Sequence, residues 1–395
     1  MSLRFSSRTS WDLREDALHT SLRALRARIP DLADLTVSNP TIVGLASPRR
    51  LPALLADPAA ATYDPDPRGI ATAREAVVRY AALHESVITA EQVVLTASTS
   101  EAYAWLFKLL CDPGDEVLVP TPSYPLFEYL AGLEHVVTRT YPLVREEGYR
   151  VDLDALRAAI TERTRAIVCV HPNNPTGTLV REDDARAIAD VAVERGLAIL
   201  ADEVFLDFLH DDATRARSFA SEERALTFTL GGLSKACCAP QLKLGWILAT
   251  GPEALRDEAL ARLHVVADTY LSVGTPIQRA LPEILSHRAE IAAELGARLR
   301  ENLASLDRAI AALGGDAPLR RVPSHGGWST LVEVPRVMTE DEWVLRLAEE
   351  ARVLVQPGWF FDIEDGGTLS VSLVAAPSVF APAIERLTQA VKRLA

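Results

Sequence analysis

The central part of the chain alternates short apolar runs with longer amphipathic stretches. Between about residues 90 and 250, six runs rich in Val, Ile, Leu and Ala are predicted strands: QVVLTA, EVLVP, RAIVCV, LAILAD, ALTFTL and KLGWILAT. Two stretches with apolar residues at helical spacing, SEAYAWLFKLL and REDDARAIADVAVERG, are predicted helices. Near-continuous apolar strands separated by helices predict a mostly parallel sheet that is covered by helices on both faces.

The pattern changes after about residue 275. A long helical region, IQRALPEILSHRAEIAAELGARLRENLASLDRAIAAL, precedes a tail that mixes helices with the apolar strands GWSTLVEV and TLSVSLV. We therefore predict an α/β protein with a large domain over residues 46–275 and a smaller α+β domain over residues 276–395. Residues 1–45 are predicted to form an N-terminal arm and part of the small domain.

Composition and charge narrow the classes of partner. The chain has 395 residues, 48% of them hydrophobic, so it is long enough for a substantial core. A net charge of −13 argues against a nucleic-acid surface and leaves small metabolites as partners. No apolar stretch has membrane length, and the start lacks the apolar core of a signal peptide. We expect a cytoplasmic protein with no membrane partner.

The cysteines fit the same expectation. They are too few and too irregularly spaced for a disulfide framework, and the adjacent pair matches no zinc-binding spacing, so no metal is predicted. The four are Cys111, Cys169, Cys237 and Cys238.

Lysine is scarce in this chain. Among 41 basic residues only four are lysines, and two of them, Lys235 and Lys243, lie in the segment TLGGLSKACCAPQLKLGWI. A lysine amine can lose its proton on burial and can form an imine with an aldehyde, whereas arginine keeps its charge. Lysine at position 235 therefore suggests a reactive amine, although an ordinary surface charge beside a strand remains an open alternative.

The first predicted strand leads into a candidate anion site. In open parallel sheets, ligands bind beyond the carboxyl ends of the strands. After QVVLTA, Ser98 and Glu101 have the spacing of a capping box, so a helix is predicted to begin there with the hydroxyls of Thr99 and Ser100 in its first turn. Many helices begin in this way, so an ordinary cap remains the alternative.

The next strands are also followed by polar or aromatic residues. The turn after EVLVP presents Tyr124, whose ring either packs or stacks on a planar ligand. The turn HPNNPTGT, after RAIVCV, presents Asn173 and Asn174. Asp202 and Glu203 follow LAILA, where a helix cap is the alternative role for the acid.

Lys235 follows ALTFTL at the same predicted edge. The strand ends together supply a helix start for a phosphate, an aromatic plate, an amide, a carboxylate and an imine-forming amine. These groups match the requirements of pyridoxal 5′-phosphate.

Short motifs in a fixed order extend this interpretation along nearly the whole chain. They are SNP at 38–40, YDPDPRG at 63–69, TASTSEA at 96–102, TPSYP at 121–125, NNPTG at 173–177, ADEV at 201–204, SK at 234–235 and LKLGW at 242–246. In this order and spacing, the chain resembles the class I/II aminotransferases, which are pyridoxal-phosphate-dependent enzymes of fold type I. The resemblance implies a homodimer with shared active sites, acting on amino acids and keto acids.

The resemblance also implies roles around the cofactor ring. Lys235 would form the imine and then move the proton at the substrate's α-carbon. Asp202 would pair with the pyridine nitrogen, Asn174 would hydrogen-bond the phenolic oxygen, and Tyr124 would stack on the ring.

The phosphate would lie on the helix start with a counter-charge. The resemblance assigns this binding to Ser98, Thr99 and Ser100, with Ser234 beside the reactive lysine and Lys243 as the cation. Tyr63 would reach the phosphate of the neighbouring subunit.

Three positions depart from the family pattern. Members usually have arginine at the position of Lys243, and a tyrosine that contacts the phenolic oxygen at the position of Phe205. Members also bind the substrate's α-carboxylate with an arginine on a late strand, where this chain has Ser370. No arginine or lysine lies between Val353 and Glu385.

Other groups are candidates for the carboxylate. Asn174 and the backbone around Asn39 offer neutral amide donors. Arg68 lies on the segment expected to reach the neighbouring subunit, although it is also predicted to pair with Asp64 or Asp66 on the surface.

Three functions follow from these observations. The leading hypothesis is an aminotransferase that interconverts an amino acid and a 2-oxo acid by a ping-pong mechanism. The second is a pyridoxal-phosphate-dependent lyase, such as a C–S lyase, or other chemistry on the same fold. The third, a non-catalytic cofactor-binding regulator, is disfavoured by the acidic charge and by the lack of a helix-turn-helix before SNP.

Overall fold

The computed structural model describes residues 3–14, 17–63, 65–211 and 214–395. The helices in these ranges are α1 Ala17–Arg28, α2 Ala71–Ala82, α3 Thr99–Leu110, α4 Phe127–Leu133, α5 Leu153–Ala159, α6 Glu182–Arg195, α7 Leu233–Ala236, α8 Glu253–Tyr270, α9 Thr275–Ser286, α10 Arg288–Ala311, α11 Glu340–Arg346 and α12 Pro377–Leu394. The strands are β1 Ala33–Asp34, β2 Val93–Thr96, β3 Glu116–Thr121, β4 Val137–Val144, β5 Arg150–Val151, β6 Thr164–Val170, β7 Ala198–Asp202, β8 Thr227–Gly232, β9 Gly245–Thr250, β10 Arg320–Arg321, β11 Ser329–Glu333, β12 Val353–Leu354, β13 Gln356–Pro357 and β14 Thr368–Ser372.

The largest sheet has eight strands in the order β2-β9-β8-β7-β6-β3-β4-β5. Strands β4, β3, β6, β7 and β8 pair in parallel, while β9 runs antiparallel to both of its neighbours. The prediction of a mostly parallel sheet is therefore confirmed. The carboxyl ends of β2, β3, β6, β7 and β8 all lie at one edge, and the first residue of β9 lies there too.

Helices cover both faces of this sheet, as the apolar strand sequences predicted. Val168 of β6 packs in a cluster with α3 and α8, including Trp105 and Leu263. The preceding residue, Ile167, packs on the opposite face against α6, including Ile188. Side chains alternate between faces along a strand, so a strand that is apolar at every position has both faces buried.

A second sheet lies in the C-terminal part of the chain. It has four antiparallel strands in the order β10-β11-β14-β13. Helices α10 and α12 pack against each other and share a core with this sheet through Leu299, Leu369 and Leu387. Near the N-terminus, β1 pairs in parallel with β12, so the beginning of the chain joins the C-terminal part.

Several elements differ from the sequence prediction in their bounds. The long helical region is two helices, α9 and α10, separated at His287. Strand β8 begins two residues later than ALTFTL and continues through two glycines. Strand β4 had no prediction, because its sequence VTRTYPLV contains a proline and several exposed polar residues. In the described ranges no helix is long and apolar enough to span a membrane.

Candidate active site

Strand register brings three distant segments to one point at the sheet edge. Gly245, the first residue of β9, is paired with Thr96 at the end of β2 and with Gly232 at the end of β8. Ser98 and Lys235 follow those two strand ends closely, and Lys243 comes just before β9. Because β9 is antiparallel, its start lies beside the ends of its neighbours, and these three side chains converge.

Glycine lets these segments approach closely where they meet. A Cβ atom on Gly245 would lie 3.1 Å from the Gly231 carbonyl oxygen and 3.2 Å from the carbonyl carbon of Ser98. A side chain at position 245 would therefore require these backbone neighbours to move by a few tenths of an ångström.

A cavity of about 480 Å³ lies at this edge. All of the predicted site residues except Tyr63 line it, namely Ser98, Thr99, Ser100, Tyr124, Asn174, Asp202, Phe205, Ser234, Lys235 and Lys243. Residues separated by up to about 145 positions in the chain thus share one cavity, as expected for a ligand site at the carboxyl ends of parallel strands.

The start of α3 forms one part of the cavity. The Ser98 hydroxyl accepts the Glu101 N–H at 3.2 Å, so Ser98 caps the helix as predicted. The Glu101 carboxylate does not return to Ser98, as a capping box would require, but accepts the Ala97 N–H at 2.6 Å. The first turn, with Thr99 and Ser100, faces the cavity and favours an anion.

Lys235 is held among aromatic rings. Its ammonium nitrogen lies 4.7 Å from the ring centroid of Trp328 and 5.4 Å from that of Phe205. Burial lowers the pKa of the Lys235 amine, and the nearby charge of Asp202 opposes this shift in part. A larger share of the amine is therefore uncharged and nucleophilic than at a surface lysine.

Asp202 ends β7 inside the protein. Its carboxylate accepts the Val204 N–H and the Tyr103 hydroxyl, each at 3.2 Å. Burial raises the pKa of Asp202 to about 6, while these bonds and the charge of Lys235 act in the opposite direction. Residues 204–207 form a turn, so Asp202 does not cap a helix.

Tyr124 and Asn174 occupy neighbouring parts of the cavity. Tyr124 is 46% exposed, and its ring lies 6.1 Å from the ring of Phe360. The Asn174 side-chain oxygen accepts the Ser329 hydroxyl at 3.3 Å. Asn174 thereby links the large sheet to β11 of the second sheet.

The positions that depart from the family pattern also lie at the cavity. Phe205 is 8% exposed and packs edge-on against Trp328 with ring centroids 5.5 Å apart. Lys243 has a left-handed backbone with φ of 49°. Ser370 lies on β14 and lines the cavity from the second sheet.

Tyr63 and Arg68 lie apart from the cavity. Tyr63 is 71% exposed. The Arg68 guanidinium donates to the Glu91 carbonyl oxygen at 3.3 Å, whereas the carboxylate of Asp66 pairs with Arg74 at 3.5 Å. Asp66 also accepts the backbone N–H of Arg68 at 3.0 Å, so Arg68 binds this carboxylate through its main chain while the ion pair is with Arg74. The alternative partner, Asp64, lies outside the described residues.

A buried acid lies directly behind Asp202. Glu203 accepts the Ser218 hydroxyl at 2.7 Å and the Phe219 N–H at 2.6 Å. Burial raises the pKa of Glu203 to about 8, and the charge of Asp202 adds to the shift. Burial therefore favours the protonated form of Glu203, and this side chain does not line the cavity.

Some cavity residues had no sequence prediction. Tyr103, which donates to Asp202 but does not line the cavity, also had none; it lies one helical turn after Thr99, and that spacing is a usable signal. Five cavity residues come from the second sheet and its loops, far from the recognised motifs, and local sequence carried no signal for them: they are Trp328, Ser329, Gln356, Phe360 and Phe361.

The residues present fit pyridoxal phosphate. The cavity offers an amine with a lowered pKa, a carboxylate fixed by two hydrogen bonds, a capped helix start and a second cation. The described residues contain no cluster of three or more metal-binding side chains.

The family model and the relatives that match this chain are named as aminotransferases. A family model described as aminotransferase class I and II matches residues 37–387. The chain is 26% identical over 338 residues to a tyrosine aminotransferase of Dictyostelium discoideum, covering 84% of this chain and 79% of that protein. It is 32% identical over 257 residues to a glutamate–pyruvate aminotransferase of Escherichia coli, covering 64% of this chain and 62% of that protein.

A solved structure agrees over nearly the full length. An alanine aminotransferase from Pyrococcus furiosus superposes with a TM-score of 0.87 and 25% identity, covering 99% of this chain and 100% of that chain. These three relatives are named as aminotransferases, and none of them favours the lyase alternative.

Proposed function

The chain belongs to the class I and II aminotransferase family, and from this premise we propose which of its residues carry out the reaction. The protein is a pyridoxal-phosphate-dependent aminotransferase that interconverts an amino acid and a 2-oxo acid. The observation that carries the proposal is the position of Lys235, whose buried amine shares one cavity with the carboxylate of Asp202.

Lys235 would hold the cofactor through its aldehyde and later move the proton at the substrate's α-carbon. Both roles need an amine that is readily deprotonated, which burial provides. When bound, the cofactor supplies an electron-withdrawing ring that stabilises negative charge at the α-carbon. Asp202, fixed by Val204 and Tyr103, would hold the proton on the ring nitrogen.

The remaining cavity residues would orient the cofactor. The helix start at Ser98, Thr99 and Ser100, with Ser234 and Lys243, would bind the phosphate. On the ring, Tyr124 would cover one face and Asn174 would donate to the phenolic oxygen.

Borohydride reduction of the holoenzyme followed by peptide mapping tests the assignment. The pyridoxyl label should be on Lys235, and a label on Lys108, Lys243 or Lys392 would overturn it.

An absorbance screen against amino acids with product analysis tests the reaction itself. A 2-oxo acid with aminated cofactor supports transamination, whereas ammonia with unchanged cofactor would contradict it.

We also propose a homodimer in which Tyr63 completes the partner's site. The proposal is supported by the exposure of Tyr63 and of Leu271, which lies on the same part of the surface. Coexpression of Lys235→Ala with Tyr63→Ala separates the models. If Tyr63 acts in trans, mixed dimers contain one intact site and recover about a quarter of natural activity at random pairing. If it acts in cis, no mixed dimer has an intact site.

The predicted domains and location complete the proposal. The division into residues 1–45, 46–275 and 276–395 is supported by the separate sheets and by the pairing of β1 with β12. A reducing cytoplasm is supported by the four free cysteines. Limited proteolysis and cell fractionation would test these two statements.

A further inference from the structure

One wall of the cavity is built by the four-stranded sheet. It consists of Ser329, Gln356, Ser370 and Ser372, all of which line the cavity, and we call it the serine–glutamine wall. Ser370 on β14 faces Gln356 on β13, and Ser372 faces Ser329 on β11. Residues two apart on a strand share a face, so the register places this polar set together.

The four side chains of this wall differ in their hydrogen bonds to the described residues. Ser329 donates to Asn174, and Ser372 donates to the Val37 carbonyl oxygen. Within the described residues, neither the hydroxyl of Ser370 nor the side-chain amide of Gln356 has a partner, although Ser370 is only 4% exposed. Enclosed polar groups are nearly always satisfied, so these two are available to a ligand.

The wall has no positive charge. Of the described residues that line the cavity, the cationic ones are Lys235 and Lys243, and the proposed function uses both of them for the cofactor. Arg298 lies near the end of β14, but its guanidinium donates to the carbonyl oxygens of Val43 and Val374 and does not line the cavity.

A neutral wall discriminates differently from a charged one. An arginine binds a carboxylate through two charge-assisted hydrogen bonds, each about twice as strong as a neutral one. Serine hydroxyls and a glutamine amide both donate and accept, so they satisfy a carboxamide or an alcohol as well as a carboxylate. A carboxylate also loses more hydration on entering the cavity than either neutral group.

We propose that the serine–glutamine wall binds the polar end of the amine substrate through neutral hydrogen bonds, with Ser370 and Gln356 as the principal donors. The enzyme then takes α-amino amides and amino alcohols as readily as the matching α-amino acids. This inference rests on the proposed function, in which the substrate amine reacts at Lys235.

The reaction is balanced as for any amino donor. The amino group passes to the cofactor, while the substrate carbon gains the oxygen of one water molecule and becomes a carbonyl. A 2-oxo acid then accepts the amino group and returns the water.

Matched ligands test the inference by equilibrium binding. The holoenzyme is titrated by calorimetry and by absorbance with alanine, leucine and phenylalanine, each as the L-amino acid, its carboxamide and its alcohol. Dissociation constants within about tenfold inside each set support neutral recognition. A preference for the acid above about tenfold in any binding set, or no binding by any ligand, would overturn the inference.

Variants locate the effect on the wall. Ser370→Arg should strengthen binding of the amino acid by about 10- to 100-fold relative to its carboxamide, since it adds a charge-assisted pair. Ser378→Arg, at an exposed position on α12, adds the same charge away from the cavity and should leave that ratio unchanged. If Ser370→Arg does not fold, Gln356→Arg makes the same test from the facing strand.

Loss of the neutral donors should weaken all three kinds of ligand without changing the preference among them. Ser370→Ala and Gln356→Met should each weaken acid, amide and alcohol by similar factors, about 3- to 10-fold. If Arg68→Ala instead weakens binding of the amino acid but not of its amide or alcohol, a guanidinium outside the wall binds the carboxylate and the inference fails.

Borohydride labelling of Lys235 distinguishes a failure of the proposed function from a failure of this inference. A missing label overturns the proposed function itself. A label on Lys235 together with strong acid preference overturns only the neutral wall.

Discussion

Two walls of the same cavity use their polar groups in different ways. At the edge of the large sheet, Asp202 and the cap of α3 are fixed by short-range hydrogen bonds, and two lysines supply charge. On the four-stranded sheet, the wall is uncharged, and Ser370 and Gln356 are unpartnered within the described residues. The charged wall suits the cofactor, which is the same in every reaction. The neutral wall would select the substrate through a few hydrogen bonds.

The largest expected effect comes from the charge at the sheet edge. Asp202→Asn keeps the shape of the side chain but cannot hold a proton on the ring nitrogen as a carboxylate does. We expect kcat to fall by about 10²–10³-fold, with the cofactor still bound. Stopped-flow half-reactions and cofactor titration measure the two quantities. Tyr103→Phe removes only one hydrogen bond to Asp202 and should have a much smaller effect, so an equal loss in both variants would contradict a role for the charge.

The second prediction concerns the buried carboxyl group of Glu203, whose ionisation should lower the free energy of unfolding. Because folding raises the pKa of Glu203 from 4.5 to about 8, the folded protein binds this proton more tightly than the unfolded chain does. The free energy of unfolding should therefore fall as pH rises from about 4.5 through 8. Glu203→Gln stays neutral and should match the natural protein near pH 5 but exceed it at pH 9 by on the order of 2–4 kcal/mol.

Thermal or urea unfolding of the cofactor-free protein measures this difference. Glu223→Gln, at an exposed position, retains Glu203 and should keep the pH dependence of the natural protein. If the two variants behave alike, Glu203 is charged in the folded protein and the assignment is wrong.

Lys243 tests the strength of the charged wall toward phosphate. Lys243→Gln should raise the dissociation constant of the cofactor by about tenfold or more, because a charge-assisted bond becomes neutral. Lys243→Arg should bind at least as tightly as the natural protein, since a guanidinium offers two donors. Equilibrium binding of pyridoxal phosphate measures both, and equal affinity in all three proteins would exclude Lys243 from the phosphate site.

The smallest effect is expected at Phe205, where the charged edge meets Trp328. A hydroxyl added by Phe205→Tyr should hydrogen-bond the ionised ring oxygen of the cofactor. The pKa of the imine between the cofactor and Lys235, measured from the visible absorbance of the holoenzyme, should therefore be lower in the variant by on the order of one unit. A spectral titration of both proteins measures it. An unchanged pKa would mean that another group already serves that oxygen.

The sequence predicted the charged edge far better than the neutral wall. Lys235, Asp202 and Ser98 follow apolar strands of one sheet, so a rule about strand ends was enough to bring them together. Gln356 and Ser329 reach the cavity only through the packing of a second sheet, and their local sequences resemble any polar strand position. Ser370 drew notice only as a departure from a family pattern, and its pairing with Gln356 required the register.

Local rules also failed where tertiary contacts compete for a side chain. Glu101 has the spacing of a capping box but bonds to Ala97, and Asp66 forms its ion pair with Arg74 while Arg68 reaches it through the backbone N–H. In both cases the spacing named a suitable group, while the three-dimensional neighbours decided its partner.

The place of β9 between β2 and β8 has a consequence for synthesis of the chain on the ribosome. Strand β2 is at the edge of the sheet, and its partner there is β9, which is made roughly 150 residues later. At about 5–20 residues per second, β2 and the start of α3 wait on the order of ten seconds for that partner. During this interval an apolar strand has both edges unpaired and is open to association with other chains. Nascent chains halted before Gly245 should therefore depend on chaperones far more than chains halted after Thr250.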